Sequence, residues 1–251
     1  MSKKPETKQS PSNRAFVLLE LASSVGILSG SMVFMLLPWA GINLSHSSLI
    51  TGLMISISNI PGLLLSPLMG SFIDKFGRRR SAVLMQAAPI VVSLAFPIVF
   101  ATGNMTVPML FVLATLRGLL GGGSMSARKS LIPDVVHGTK TSLEKANSLH
   151  ESIAAGGFAV GPALAAVLVN LVGIFNAFYV VAAMEIISVL ITLAIRVKEH
   201  HELHADDEEA RHWIHYVLTG FKVMFRAPSV LVLMGAFTVL ATIYLPTEMV
   251  V

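Results

Sequence analysis

An all-α bundle of helices that crosses a membrane several times is the fold class this sequence predicts, on three observations. Of its 251 residues, 54% are hydrophobic and only 13% charged, where a soluble domain carries roughly 25% charged residues. Mean hydropathy is +0.74, so the apolar surface exceeds what one aqueous core can hide and the remaining solvent is lipid. Seven apolar runs, at 16–38, 47–72, 80–102, 107–127, 148–171, 174–195 and 229–251, each approach or exceed the roughly 20 residues that carry a helix across a hydrocarbon core about 30 Å thick.

In chain order, residues 1–15 form a polar tail with Lys3, Lys4 and Lys8. It runs into an apolar segment too long for the roughly 7–15-residue core of a signal peptide, which makes it an uncleaved cytoplasmic tail. Spans one to six fill 16–196. Gly26, Gly30, Pro61, Pro89 and Pro162 lie inside them, as bilayer helices tolerate because neighbouring helices and hydroxyls satisfy freed backbone groups. The connections divide by charge. Pro38–His46, Ala101–Val107 and Asn170–Gly173 hold no Lys or Arg, whereas the tail, Asp74–Arg80, Arg128–Lys145 and Arg196–Arg226 hold every basic residue except Arg117. The positive-inside rule makes the basic connections cytoplasmic, with the N-terminus inside and the plasma membrane as the expected location.

Residues 197–228 shift to a polar cytoplasmic linker, and 229–251 begin a seventh span. Ile214, Val217, Leu218, Phe221, Met224 and Phe225 recur at three- and four-residue steps, the pattern of an amphipathic helix against the membrane surface or the bundle. His200, His201, His204, His212 and His215 lack any fixed ligand spacing, so no metal is expected. The absence of cysteine excludes disulfides, thiolate metal sites and cysteine nucleophiles. Gly121-Gly122-Gly123 lacks the following Lys-Ser/Thr of a phosphate loop, and no nucleophile–base pair or cofactor motif appears. Neither an enzyme nor a cofactor is expected, and the basic loops border spans too regularly for nucleic-acid binding.

The most specific local pattern is Gly70-Ser71-Phe72-Ile73-Asp74-Lys75-Phe76-Gly77-Arg78-Arg79-Arg80, between spans two and three. Gly70 permits close helix approach; Asp74 accepts hydrogen bonds or faces a helix N-terminus; Gly77 allows a turn; and Arg78, Arg79 and Arg80 hold the loop at an anionic leaflet. An ordinary basic loop explains the arginines but not Gly70, Asp74 and Gly77 at those offsets. The segment resembles, at every defining position, the signature loop of the major facilitator superfamily. That resemblance implies a conformational latch of Gly70, Asp74, Lys75, Gly77, Arg78, Arg79 and Arg80. Span five, Gly157 to Ala166, is similar to the end of the superfamily's antiporter motif through Gly157, Gly161 and Pro162, although Ala165 and Ala166 stand where glycines are expected. Packing through Gly157 and Gly161 is an equally good reading. Arg117, followed by Gly118 and Gly121–Gly123, resembles the superfamily's buried span-four arginine. Ala127–Val136 and Ala146–Ser148 are similar to the branch that holds macrolide and siderophore exporters.

Charged side chains inside spans are costly and are functional hypotheses by default; here they are Glu20, Arg117, Glu151, Glu185 and Glu248. Arg117 lies eleven residues before Arg128 and Glu185 eleven before Arg196, which places both ~16 Å from the cytoplasmic boundary and allows an ion pair. Glu20 and Glu151 sit ~9 Å inside their anchors, close enough for water to enter from the cytoplasmic side. The resemblance implies that spans one, four and seven line a central cavity, favouring Glu20, Arg117 and Glu248 as transport residues and making Glu185 a structural partner of Arg117. A carboxylate in a dry cavity can hold a proton, so Glu20 or Glu185 is a candidate for proton coupling. Met32, Phe34, Met35 and Trp39 offer an adaptable wall for bulky substrates, or simply packing surface.

The resemblance further implies twelve spans in two six-span halves, each an inverted repeat of three, although no residue-level repeat is visible. The chain therefore reads as the N-terminal half of a proton-coupled exporter of small amphipathic substrates, with lipid bilayer, proton and a missing C-terminal half as partners. Proton-coupled uptake and a non-transporting membrane assembly module are the alternatives.

Overall fold

The computed structural model describes residues 13–137 and 139–195 together with 232 and 236, and gives the backbone alone for 63–64, 66–69, 71 and 74–75. Its helices are α1 (Arg14–Ser45), α2 (Ser48–Phe76), α3 (Arg78–Ala101), α4 (Val107–Gly121), α5 (Ser124–Lys129), α6 (Ile132–Val136), α7 (Leu143–Val172) and α8 (Ala177–Ala194). No strand occurs among the described residues. Five stretches, α1, α3, Val107–Val136, α7 and α8, are long and apolar enough to cross a membrane, and α2 adds the apolar stretch Ser48–Gly62. All these helices belong to one compact unit, Met1–His201; Glu202–Val251 forms another. The amphipathic linker helix, the seventh span and Glu248 lie outside the described residues.

Local chemistry sets the helix ends. Ser47, Thr106 and Ser142 open α2, α4 and α7 as N-caps whose hydroxyls accept the N–H of Ile50, Met109 and Lys145 at 3.3–3.4 Å, satisfying one orphan donor each. The cap at Ser142 starts α7 five residues before the expected 148. α1 runs past Pro38 and stops where His46 turns left-handed at φ 51. Span four breaks at Gly121–Gly123, and α5 and α6 follow as short helices. The loop expected between spans two and three is one residue, Gly77, at φ 84 and ψ 149. That region is essentially reserved for glycine.

α1 packs against α7, α8 and α2, while α4 packs against α2 and α3, and α3 against α8. Exchanging α1, α2 and α3 for α4, α7 and α8 maps α1–α7 onto α4–α2, α1–α8 onto α4–α3, and α3–α8 onto itself, the relation of an inverted repeat; the counterpart of α1–α2 is made by α6, which packs against α7. Matching crossings use matching chemistry. Where α1 meets α7, a Cβ on Gly161 would overlap Ser31 Oγ, and that hydroxyl donates to the Gly157 carbonyl at 2.9 Å. Where α2 meets α4, a Cβ on Gly62 would lie 2.6 Å from the Gly118 carbonyl oxygen, and one on Gly118 2.5 Å from that of Ser58. Small residues let backbones approach in lipid, where helix association depends on packing and hydrogen bonds. Gly70, by contrast, is exposed and meets no described neighbour, so the expected close helix approach is not found there; the described contacts of α2 with α4 lie nearer its start.

Two apolar clusters divide the bundle along the helices. One contains Met32, Val92, Phe96, Ala165, Phe178 and Val181, with the Phe96 and Phe178 rings stacked at 4.2 Å. The other contains Phe16, Leu19, Met85, Ala127, Ala146 and Ile195. Between them along α1, α3, α7 and α8 lie Glu20, Ser23, Gln86, His150, Glu185, Ser188 and Thr192, all buried.

Candidate functional site

Buried polar groups cost free energy unless they find partners, and the layer between the two clusters is built accordingly. Arg117 on α4 forms an ion pair with Glu185 on α8, and Ser93 on α3 donates to the second Glu185 oxygen at 2.8 Å. Ser188 Oγ, one turn on, lies 2.7 Å from the Ala22 carbonyl oxygen and 3.0 Å from Gln86 Oε1, tying α8 to α1 and α3. Thr192 Oγ1 reaches the same amide oxygen at 3.3 Å.

A cavity of about 340 Å3 opens into this layer. Val33, Phe34 and Leu37 of α1 give it an apolar wall, and Gln86, Arg117, Arg128, Glu185 and Ser188 line it with polar groups. Of the four proposed wall residues, Phe34 alone lines this cavity; Met32 is buried in the first apolar cluster, Met35 packs against it, and Trp39 lines a second hollow.

Arg128 departs from the sequence reading, which used it to mark the cytoplasmic boundary. It is only 5% exposed. The missing side chain at Gly26 makes room for the guanidinium: a Cβ there would lie 2.7 Å from Arg128 Nη1. Glu151 departs in the other direction. Its side chain is 53% exposed and pairs with Lys129, because one residue on from the inward-facing His150 the helix has turned about 100° away from the buried stripe.

His150 was missed entirely. It is fully buried, with Nδ1 at 3.2 and 3.3 Å from the two oxygens of Glu20, itself 6% exposed. Its Nε2 has no partner among the described residues. The signal was present in spacing: Ala146, His150, Ala154, Gly161 and Ala165 form the buried stripe of α7, the face that Gly161 already marked.

Around the Gly77 turn, Arg78 pairs with Asp134 of α6 at 2.9 Å, and Arg79 donates to the Leu193 carbonyl at the end of α8 at 2.7 Å. Two of the three arginines thus grip neighbouring helices, while Arg80 is exposed. The side chains of Asp74 and Lys75 lie outside the described residues. No group of three or more metal-ligating side chains occurs among those described.

A family model described as Major Facilitator Superfamily matches residues 19–251. The multidrug efflux pump Tap of Mycobacterium tuberculosis (strain ATCC 25618 / H37Rv) is 27% identical over 198 residues, covering 76% of this chain and 47% of the relative. The staphyloferrin A transporter of Staphylococcus aureus is 25% identical over 163 residues, covering 64% and 41%. The chain therefore spans about half the length of these curated relatives. Among solved structures, the human organic anion transporter MFSD10 (TETRAN) shares the fold, with a TM-score of 0.60 at 17% identity over 82% of this chain and 54% of that one.

Proposed function

The chain belongs to the major facilitator superfamily, and from that premise we propose that it is the N-terminal half of a secondary active exporter. It moves small amphipathic molecules outward across the plasma membrane by alternating access, coupled to protons, with its N-terminus in the cytoplasm. A second six-span half completes the carrier, and residues 197–228 link to its first span at 229–251. The observation that carries this reading is the cavity in the polar layer, where an apolar wall on α1 faces charged groups on α4, α5 and α8. One relative is named a multidrug efflux pump, which supports outward movement; the other is named a transporter of staphyloferrin A, which supports a small-molecule cargo. For proton coupling, the buried Glu20–His150 pair is better suited than Glu185, because it joins a carboxyl to an imidazole, two groups that exchange protons, whereas Glu185 faces a guanidinium, which does not give its proton up. The latch reading assigns Gly70, Asp74, Lys75, Gly77, Arg78, Arg79 and Arg80 to holding one conformation of the two halves.

Efflux of dyes, macrolides and siderophores from everted vesicles tests the reading, with the chain and the longest uninterrupted reading frame compared with and without an uncoupler. Uncoupler-sensitive flux from the longer form is expected, lost in its Asp74→Asn variant at normal expression. Inward flux would instead establish uptake, and the absence of flux in either form a non-transporting module.

A further inference from the structure

Three charged residues line the cavity: Arg117, Arg128 and Glu185. Glu185 is in direct contact with Arg117 and acts on Arg128 only at longer range, so two positive charges share one carboxylate. Arg128 has no carboxylate within 4.0 Å among the described residues, and its Nε has no hydrogen-bond partner there. A guanidinium 5% exposed is stable only when its charge and its donors are answered. The surroundings keep a place open for the answer. Gly26 offers no side chain to cover Arg128, and Ser29, Asn59 and Ser124 on the cavity lining are neutral hydrogen-bonding groups.

We propose that Arg128 receives the anionic group of the cargo, so that the cavity selects amphipathic carboxylates over amphipathic cations. The planar fork of a guanidinium matches both oxygens of a carboxylate, giving orientation as well as attraction. The apolar body of such a molecule then lies along Val33, Phe34 and Leu37 of α1. This specificity rests on the cavity being the substrate site of the carrier proposed above.

Isothermal titration of the chain in phosphatidylcholine nanodiscs tests it, with naphthalene-1-acetate, its neutral amide and 1-naphthylmethylammonium as probes. The acetate is expected to bind at least tenfold more tightly than either of the others. Arg128→Gln is expected to make acetate and amide bind alike, and Arg128→Lys to keep part of the preference. Should Arg128→Gln fail to fold, Gly26→Ala decides the matter, because its methyl group displaces the guanidinium and is expected to cut the preference several-fold. Acetate affinity is expected to be the same in discs containing phosphatidylglycerol; its loss there would assign Arg128 to lipid headgroup phosphates and overturn the proposal. Equal binding of all three probes, tighter binding of the ammonium, no binding, or a preference that survives both substitutions would also overturn it. Carboxylate preference without flux in vesicles would fault the carrier reading alone, whereas flux without that preference would fault only this proposal.

Discussion

Arg117 is answered by Glu185, which also accepts from Ser93, and that dependence sets what their substitution does. Glu185→Gln leaves Arg117 buried without a counter-charge, a change worth about 3–5 kcal/mol when a buried pair is broken from one side. Replacing both by methionine removes charge and counter-charge together and is expected to recover most of that loss in thermal unfolding. A double replacement as damaging as the single one would contradict the pairing. The pair was legible in the sequence because both residues lie eleven positions before a basic residue. Arg128, one of those two markers, was not read as buried, since a positive charge beside Lys129 looks like any boundary residue until the space that Gly26 leaves for it is known. His150 escaped for a related reason: a single histidine has no period, and only the face marked by Gly161 shows that it points inward. If Glu20 and His150 pass a proton between them, Glu20→Gln and His150→Asn should each flatten the pH profile of transport without abolishing binding. Retention of the original profile in both would remove the dyad from the coupling mechanism.

At the scale of elements, the hydropathy pattern located six of the helices because twenty apolar residues have few uses other than crossing a bilayer. Their ends were harder, since they depend on caps and backbone angles instead of composition. Pro38 did not end α1, and Ser142 started α7 early. The break in span four was likewise hidden, because Gly121–Gly123 reads equally well as close packing within one helix. Glycine contacts give a direct prediction. Gly161→Ala drives a methyl group into Ser31 and should lower stability by about 1–3 kcal/mol, the usual cost of overpacking, whereas Gly70→Ala, inside α2 with open space at its Cβ, should raise it by up to about 1 kcal/mol through helix propensity, both read by thermal unfolding in detergent. Equal losses at the two positions would mean that the α1–α7 crossing is not the tight one.

For the whole molecule, the recurring arrangement is a polar layer held between two apolar clusters, with pairings that interchange between the first three spans and the next three. No repeat is visible in the residues themselves, because the two triplets share spacing of small side chains and not identity. Function depends on whether the cavity in that layer is a wet passage for cargo or packing that merely stabilises the bundle. The chain has no cysteine, which makes a single introduced thiol an unambiguous probe. The most direct measurement is labelling of Asn59→Cys, on the cavity lining, by a water-soluble thiol reagent in membrane vesicles, with and without a transported amphipathic dye. Val91→Cys, 71% exposed on α3, serves as the lipid-facing control. The carrier account predicts that Asn59→Cys is labelled and that the dye protects it, while Val91→Cys reacts with neither condition. An unlabelled Asn59→Cys, or labelling that the dye leaves unchanged, would contradict a substrate cavity at the centre of this bundle.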